Sequence, residues 1–423
     1  MKSGLQRALS HVTPESRLVY SLLCQYGQRN RIFTKLYADN YRCLLNFELP
    51  LEPLTVLMGP NGSGKSASLL LIAKLRDFIL GRESTDDVFP SESLTRWDIN
   101  GSNGRQTFEL EVHLPQGDYI YHLDIHHDPM VGDALAFDET LSLNGKLLFK
   151  TRGDDTCLYS DQHIEGPHFI PDWHHSGLFR VPERKDNTKL IAFRKFIEAT
   201  IVFALNPALV KAISANKRPV TIPAPDCSDF ADWFAHLLSA EVVAERAAEV
   251  KIKEGALPSL IAFQATPSGD AKILECVMEN KGGKPLRYRL DELSSGQIAL
   301  VVLETALAVV EEHHGALLLD EPGNFLGLGE IEPLLTRLQD IALEGRAQII
   351  LSAHHPLAVD FLAAGHGCWL DREPSGPARV ERLKLSADDL DENAHLRVSD
   401  LIARGWLSGL GVTDRSAKPQ GKP

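Results

Sequence analysis

The stretch Gly59-Pro60-Asn61-Gly62-Ser63-Gly64-Lys65-Ser66 matches G-x-x-x-x-G-K-[ST] at every fixed position. It lies between the apolar run Thr55–Met58 and the helical run Ala67–Leu80, the context this motif requires. Three glycines let the backbone curl so that successive N–H groups face a phosphate, and the helix that follows adds the partial positive charge of its N-terminus. Gly59, Asn61, Gly62, Ser63 and Gly64 would then cradle a nucleotide's phosphates. Lys65 would reach the β- and γ-phosphates, and the Ser66 hydroxyl would ligate Mg²⁺. Phosphate-ester hydrolysis needs two further groups, a second Mg²⁺ ligand and a base on the attacking water. The run Ala316-Leu317-Leu318-Leu319-Asp320-Glu321-Pro322 offers both, with Asp320 for the metal shell and Glu321 for the base.

The elements that must position these groups can be read around them. Ala316–Asp320 and Gln348–Ser352 are continuous apolar strands, as a parallel sheet covered on both faces requires. Residues 32–49 alternate as strands do, with Tyr41-Arg42 between two such runs. Tyr41 is a candidate to stack on adenine, or else an aromatic of the sheet at a turn. Residues 107–114 with 119–126, and 139–143 with 146–150 around Asn144-Gly145, read as hairpins of an antiparallel β lobe. Within it His122, Asp124 and His126 share a strand and suggest either a metal site or a wet hairpin face. From Val181 to about Leu260 the spacing is helical, and basic residues gather at Arg180, Arg184, Lys185, Lys189, Arg194 and Lys195, with Lys211, Lys217 and Arg218 beyond. This is a solvated face or a DNA track. The spacing divides the chain into an N-terminal helical extension (1–30), an ATPase part with the phosphate loop and β lobe (31–180), a helical insertion (181–265), a second ATPase part (266–390), and a C-terminal helix and tail (391–423).

Composition sets outer limits. With 423 residues and a formal net charge of −13, the chain does not have the make-up of a general nucleic-acid coat, which depends on Lys and Arg. Six cysteines without a C-x-x-C pair predict neither a zinc framework nor disulfides. No secretory segment or membrane-length apolar span is visible, which predicts a cytoplasmic protein without a membrane partner.

The phosphate loop, Leu293-Ser294-Ser295-Gly296-Gln297, Leu317–Pro322 and Ser352-Ala353-His354-His355-Pro356 together resemble the ATP-binding-cassette ATPases. Within that class they resemble the soluble branch of SMC, RecF and OLD-family proteins. The resemblance implies an α/β P-loop NTPase of ABC type carrying an antiparallel β lobe and a helical insertion. It also implies a homodimer or higher oligomer closed on ATP, in which Ser294 and Gly296 of one copy meet the γ-phosphate held by the other. His354 would be the switch histidine, with His355 the alternative. No heptads fill the long interval between phosphate loop and signature, and no membrane segment is coupled to it, so an OLD-like ATPase is favoured over SMC proteins or transporters. Such ATPases occur in anti-phage systems such as PARIS and Septu. By that resemblance the chain is expected to be a sensor or scaffold that controls a separately encoded effector, a nuclease. The stretch after Asp371 is too short for a Toprim nuclease domain. A RecF-like repair ATPase acting directly on DNA is the other expectation, carried by the basic run. Two departures from the family pattern stand out: Pro322 is followed by Gly323, and Leu326 by Gly327-Leu328.

Overall fold

The structure is a computed structural model that describes residues 31–97, 104–127, 134–215, 218–240, 242–373, 376–383 and 397–403. The expected N-terminal extension, Lys217 and most of the C-terminal segment lie outside the described residues, where only the short helix Val398–Ala403 remains of the latter.

The first half alternates in burial, as its sequence does. β1 (Ile32–Asp39) pairs antiparallel with β2 (Phe47–Pro50), and β3 (Leu54–Met58), buried at every position, feeds the phosphate loop and helix α1 (Lys65–Ile79). Six strands follow: β4 (Arg105–Leu114), β5 (Gly117–His127), β6 (Ala134–Leu143), β7 (Lys146–Arg152), β8 (Asp155–Tyr159) and β9 (Glu165–Phe169). With β1 and β2 they form an eight-stranded antiparallel sheet in the order β2-β1-β4-β5-β6-β7-β8-β9. Asn144 and Gly145, at φ 51° and 76°, make the two-residue turn whose backbone twist matches the strands it joins.

The segment expected to be a helical insertion divides differently. Helix α2 (Thr188–Glu198) packs on α1, and β10 (Thr200–Phe203) is an edge strand of the core sheet. The boundary at 181 therefore separates α2 and β10 from the core sheet they belong with. Thr200-Ile201-Val202-Phe203 is a short apolar run whose type periodicity alone leaves undecided, and pairing with a buried neighbour makes it a strand. Helices α3 (Phe230–Ala240) and α4 (Val242–Glu254) come next. In a small sheet, β11 (Ile213–Ser214), β12 (Leu260–Ser268) and β14 (Leu286–Arg289) each pair with β13 (Ala271–Met278).

The core sheet has the order β10-β15-β16-β3-β17-β18, where β15 is Ala316–Asp320, β16 Gln348–Ser352, β17 Gly367–Arg372 and β18 Ala378–Arg382. All but β18 run parallel. One face is covered by α5 (Ser295–His313), α6 (Leu328–Leu343) and α7 (Pro356–His366), and the other by α1 and the β lobe. Two buried polar residues tie these layers. Arg76 of α1 pairs with Asp77 at 3.0 Å and donates to the Thr200 carbonyl at 3.0 Å, fixing the helix to β10. Gln348 at the start of β16 is fully buried; its Oε1 accepts from Phe33 N–H at 2.8 Å, and its Nε2 donates to the carbonyls of Phe33 and Glu52 at 2.8 and 2.9 Å.

Candidate active site

Because β3, β15 and β16 are parallel neighbours, their carboxyl ends bring three distant segments to one edge, where open α/β sheets bind ligands. The loop after β3 turns through left-handed backbone at Gly59 (φ 141°), Gly62 (78°) and Gly64 (108°). At Gly59 a Cβ would stand 1.9 Å from the Leu370 carbonyl oxygen, so only glycine fits. Lys65, nearly buried, donates from Nζ to the carbonyls of Gly59 (2.8 Å) and Pro60 (3.1 Å). Burial lowers its pKa, against the opposing pull of Glu321 and Asp320.

The two carboxylates are set by a residue that motif reading passes over. Ser352 pairs with Asp320 across β15 and β16; its Oγ donates to Asp320 Oδ1 at 2.5 Å and accepts from Glu321 N–H at 3.0 Å. Its signal is present as the first residue of Ser-Ala-His-His-Pro, but its role depends on the register of two strands. Glu321 leaves the strand at φ 53°, a left-handed conformation that costs a non-glycine residue about 1–3 kcal/mol. Its Oε2 accepts from His354 N–H at 3.2 Å and lies 2.6 Å from His354 Nδ1. His355 serves the helix instead, since its Nδ1 accepts from Leu357 N–H at 3.3 Å and caps α7.

Asn61, Gly62, Gly64, Lys65, Ser66, Glu321 and His354 line one cleft of about 560 Å³, a nucleotide-sized volume. Arg42, Glu92, Arg96, Trp97 and Arg372 also stand in its wall, beside Cys43, with the Arg372 guanidinium 5.1 Å from the Trp97 ring centre. No motif in the sequence marks any of these five as a site residue, because they come from separate strands and loops.

The donor set fits a nucleotide phosphate with Mg²⁺. Ser63 Oγ is buried without a hydrogen-bond partner among the described residues, the glycines leave room for close backbone approach, and the Ser66 hydroxyl and Asp320 carboxylate are hard oxygen donors.

Three of the groups singled out in the sequence meet definite partners in the fold. Tyr41 is fully buried against Phe89 and Phe108, with ring centres 6.5 and 5.7 Å away, so it presents no face to adenine. The turn at Asn40–Asn46 folds inward under the lobe, which buries the aromatic and leaves its neighbour Arg42 in the cleft wall. Much of the basic run is paired within the chain. Arg180 pairs with Asp172, Lys189 Nζ donates to the Asp161 carbonyl (2.6 Å), Arg194 donates to the carbonyls of Leu178, Phe179 and Val181, and Lys195 pairs with Glu183 (3.2 Å). Arg184 and Lys185 are exposed, as are the paired side chains of Arg180 and Lys195. On the lobe, His122 sits between Glu109 (3.2 Å) and Asp124 (3.3 Å) in an ion-pair cluster, while His126 stacks on Phe137 instead of joining it.

Ser294 and Gly296 do not line the cleft of their own chain. Ser294 caps α5, accepting from Gln297 N–H at 3.3 Å while Gln297 Oε1 accepts from Ser294 N–H at 3.1 Å. Gly296 packs against the loop after Glu321, where a Cβ would meet the Phe325 carbonyl oxygen at 3.1 Å. The signature is thus an exposed helix start beside the exposed side chains of Phe325 and Leu328.

No protein-family model matches the chain. A stretch of 82 residues is 46% identical to the OLD nuclease of Thermus scotoductus, covering 19% of this chain and 14% of that protein. The chain is also similar to the crystal structure of an SMC head bound to the C-winged helix domain of ScpA, with a TM-score of 0.50 and 12% identity over 84% of this chain and 98% of that one. The chain thus shares a stretch with an OLD nuclease and has the ABC-ATPase fold of the SMC heads. A further SMC head, with an extended coiled coil and bound to the C-terminal domain of ScpA derived from Pyrococcus furiosus, is similar at a TM-score of 0.49 and 11% identity, over 86% of this chain and 98% of that one. The chain has, among its described residues, no helix long and apolar enough to cross a membrane.

Proposed function

We propose that this OLD-like chain binds and hydrolyses ATP and uses the difference between bound and cleaved nucleotide as a conformational switch. The observation that carries the reading is the convergence of Lys65, Ser66, Asp320, Glu321 and His354 on the carboxyl ends of three adjacent parallel strands. Ser66 and Asp320 would hold Mg²⁺, which when bound offsets charge on the β- and γ-phosphates. The loop amides from Asn61 to Ser66 and the Lys65 ammonium bind and orient the phosphates, with Lys65 exchanging its two loop carbonyls for phosphate oxygens. Glu321 accepts a proton from the attacking water at a carboxylate oxygen, and His354 holds that carboxylate in place.

The reading extends to a second copy. Ser294 and Gly296 lie at an exposed helix N-terminus outside their own cleft, a position suited to meeting the γ-phosphate bound by a partner copy. ATP then favours the closed pair, and cleavage removes that preference. We further propose a scaffold that controls a separately encoded effector, a nuclease of an anti-phage system; the SMC head bound to a domain of ScpA is an instance of this fold holding a separate protein.

The test is ATP turnover by the purified chain beside Lys65→Ala, followed by mass spectrometry of what co-purifies with tagged Glu321→Gln in ATP and Mg²⁺. Turnover lost in Lys65→Ala, with a toxic effector released when ATP is omitted, is the expected result. Equal turnover in parent and Lys65→Ala overturns the site. Recovery of DNA with repair proteins overturns the effector reading and favours direct action on DNA.

A further inference from the structure

The outer edge of the β lobe holds a group of side chains that the nucleotide site does not use. Strand β9 is the last of the eight-stranded sheet, and all five of its residues are exposed. It pairs with β8 at Thr156↔Phe169, Cys157↔His168 and Tyr159↔Glu165, with an irregularity between Cys157 and Tyr159. At Gly166 a Cβ would come 2.7 Å from the Leu158 carbonyl oxygen, so the two backbones approach closely. An edge strand with no buried side chain has little packing to hold it in register.

Cys157, Glu165 and His168 each offer one ligand atom within 4.8 Å of the other two. Their arrangement around His168 is ordered. Asp155 faces Nδ1 with both oxygens, at 3.0 and 2.9 Å, and Glu165 Oε1 lies 2.9 Å from Nε2. A histidine whose Nδ1–H is held by a carboxylate has its Nε2 lone pair fixed in direction, the arrangement typical of metal-bound imidazole. The irregular pairing supplies what a regular strand lacks, since Glu165 and His168 are three apart and would otherwise fall on opposite faces.

We propose that Cys157, Glu165 and His168 form a Zn²⁺ site, with Asp155 orienting the imidazole, that clamps β9 to the lobe. One thiolate, one imidazole and one carboxylate are a zinc donor set, too soft for Mg²⁺ or Ca²⁺. Half-exposed His168 and exposed Glu165 give the ion an entry path and leave a fourth position to water. Binding exchanges the Cys157 thiol proton, and any proton on His168 Nε2, for the metal, so affinity rises with pH. The clamp is independent of the nucleotide reading, because none of its residues lines that cleft.

The full chain, stripped of metal and titrated with Co²⁺, tests this. A thiolate-to-cobalt charge-transfer band with the visible bands of a four-coordinate ion, displaced by one equivalent of Zn²⁺, is expected. The band must vanish in Cys157→Ser and His168→Gln. It must persist in Cys43→Ser, because Cys43 lines the nucleotide cleft, where the other cation would sit. Asp155→Asn should weaken Zn²⁺ binding by about 10- to 100-fold without removing the band. Hydrogen exchange of the 165–169 segment should slow when Zn²⁺ is added to the parent and not to His168→Gln, a surface variant that leaves the core untouched. Absence of the charge-transfer band, its persistence in Cys157→Ser, or its loss in Cys43→Ser overturns the site. Unchanged exchange at 165–169 on Zn²⁺ addition overturns the clamp.

Discussion

Replacing Glu321 by glutamine separates catalysis from folding at one atom. The side chain is about one-fifth exposed and its Oε2 receives His354 N–H at 3.2 Å, a bond that the amide oxygen of glutamine can still accept, though more weakly. What is lost is the carboxylate charge and the 2.6 Å contact with His354 Nδ1. His354 is more than half exposed, so that pair contributes below about 1 kcal/mol to stability. The backbone at φ 53° is unaffected, and the melting temperature should move by no more than about 2–4 °C. Turnover should respond very differently. A positioned general base contributes about 10²- to 10⁴-fold, equivalent to roughly 3–5 kcal/mol in the barrier. Phosphate release under single and multiple turnover, with binding of a fluorescent ATP analogue, measures both sides. The expected result is retained binding, turnover lower by two decades or more, and accumulation of a larger assembly in ATP. A folded variant that hydrolyses within a few-fold of the parent would falsify the assignment of Glu321 as base. Lost binding with intact folding would instead make it a ligand-holding residue.

Three other substitutions probe different layers. Gln348→Leu strands the Phe33 N–H and the Phe33 and Glu52 carbonyls in a fully buried junction, and should lower unfolding free energy by about 3 kcal/mol in urea titration; a loss under about 1 kcal/mol refutes its role in joining sheet and lobe. Tyr41→Phe removes a buried hydroxyl without a partner among the described residues, so nucleotide affinity should stay unchanged and stability equal or rise by up to about 1 kcal/mol. Weaker nucleotide binding in that variant would return Tyr41 to the site. The pKa of His122 is raised to about 9 by hydrogen bonds first to Asp124 and then to Glu109, against its burial. A raised folded pKa gives stability that is complete below the unfolded value of about 6.5 and lost as pH climbs through about 9. Screening at this partly exposed cluster reduces the effect to about 1–2 kcal/mol. Denaturation midpoints of the parent should fall across that window more steeply than those of His122→Gln, and parallel slopes would contradict the assignment.

The sequence by itself determined the parts whose geometry is written in consecutive residues. The phosphate loop is one such part, since its three left-handed glycines and its lysine lie within a single turn. Asn144-Gly145 is another, since the conformation of a two-residue hairpin depends on those two residues. The apolar strands before Asp320 and after Ala347 were legible because a strand covered on both faces leaves no polar alternation. The tertiary structure decided everything that rests on which distant segments meet. Tyr41 and Arg42 are adjacent in sequence, yet the fold of one turn buries the first and places the second in the cleft. The run Thr200–Phe203 became core sheet because β15 offered it a buried edge, which helical spacing on either side concealed. Ser352 gained its hold on both carboxylates from the register of two parallel strands, and Glu165 came to the same group as His168 through an irregular pairing. In each case the deciding term is long-range pairing or burial, whose free energy belongs to the neighbour supplied by the fold and has no local signature in the chain.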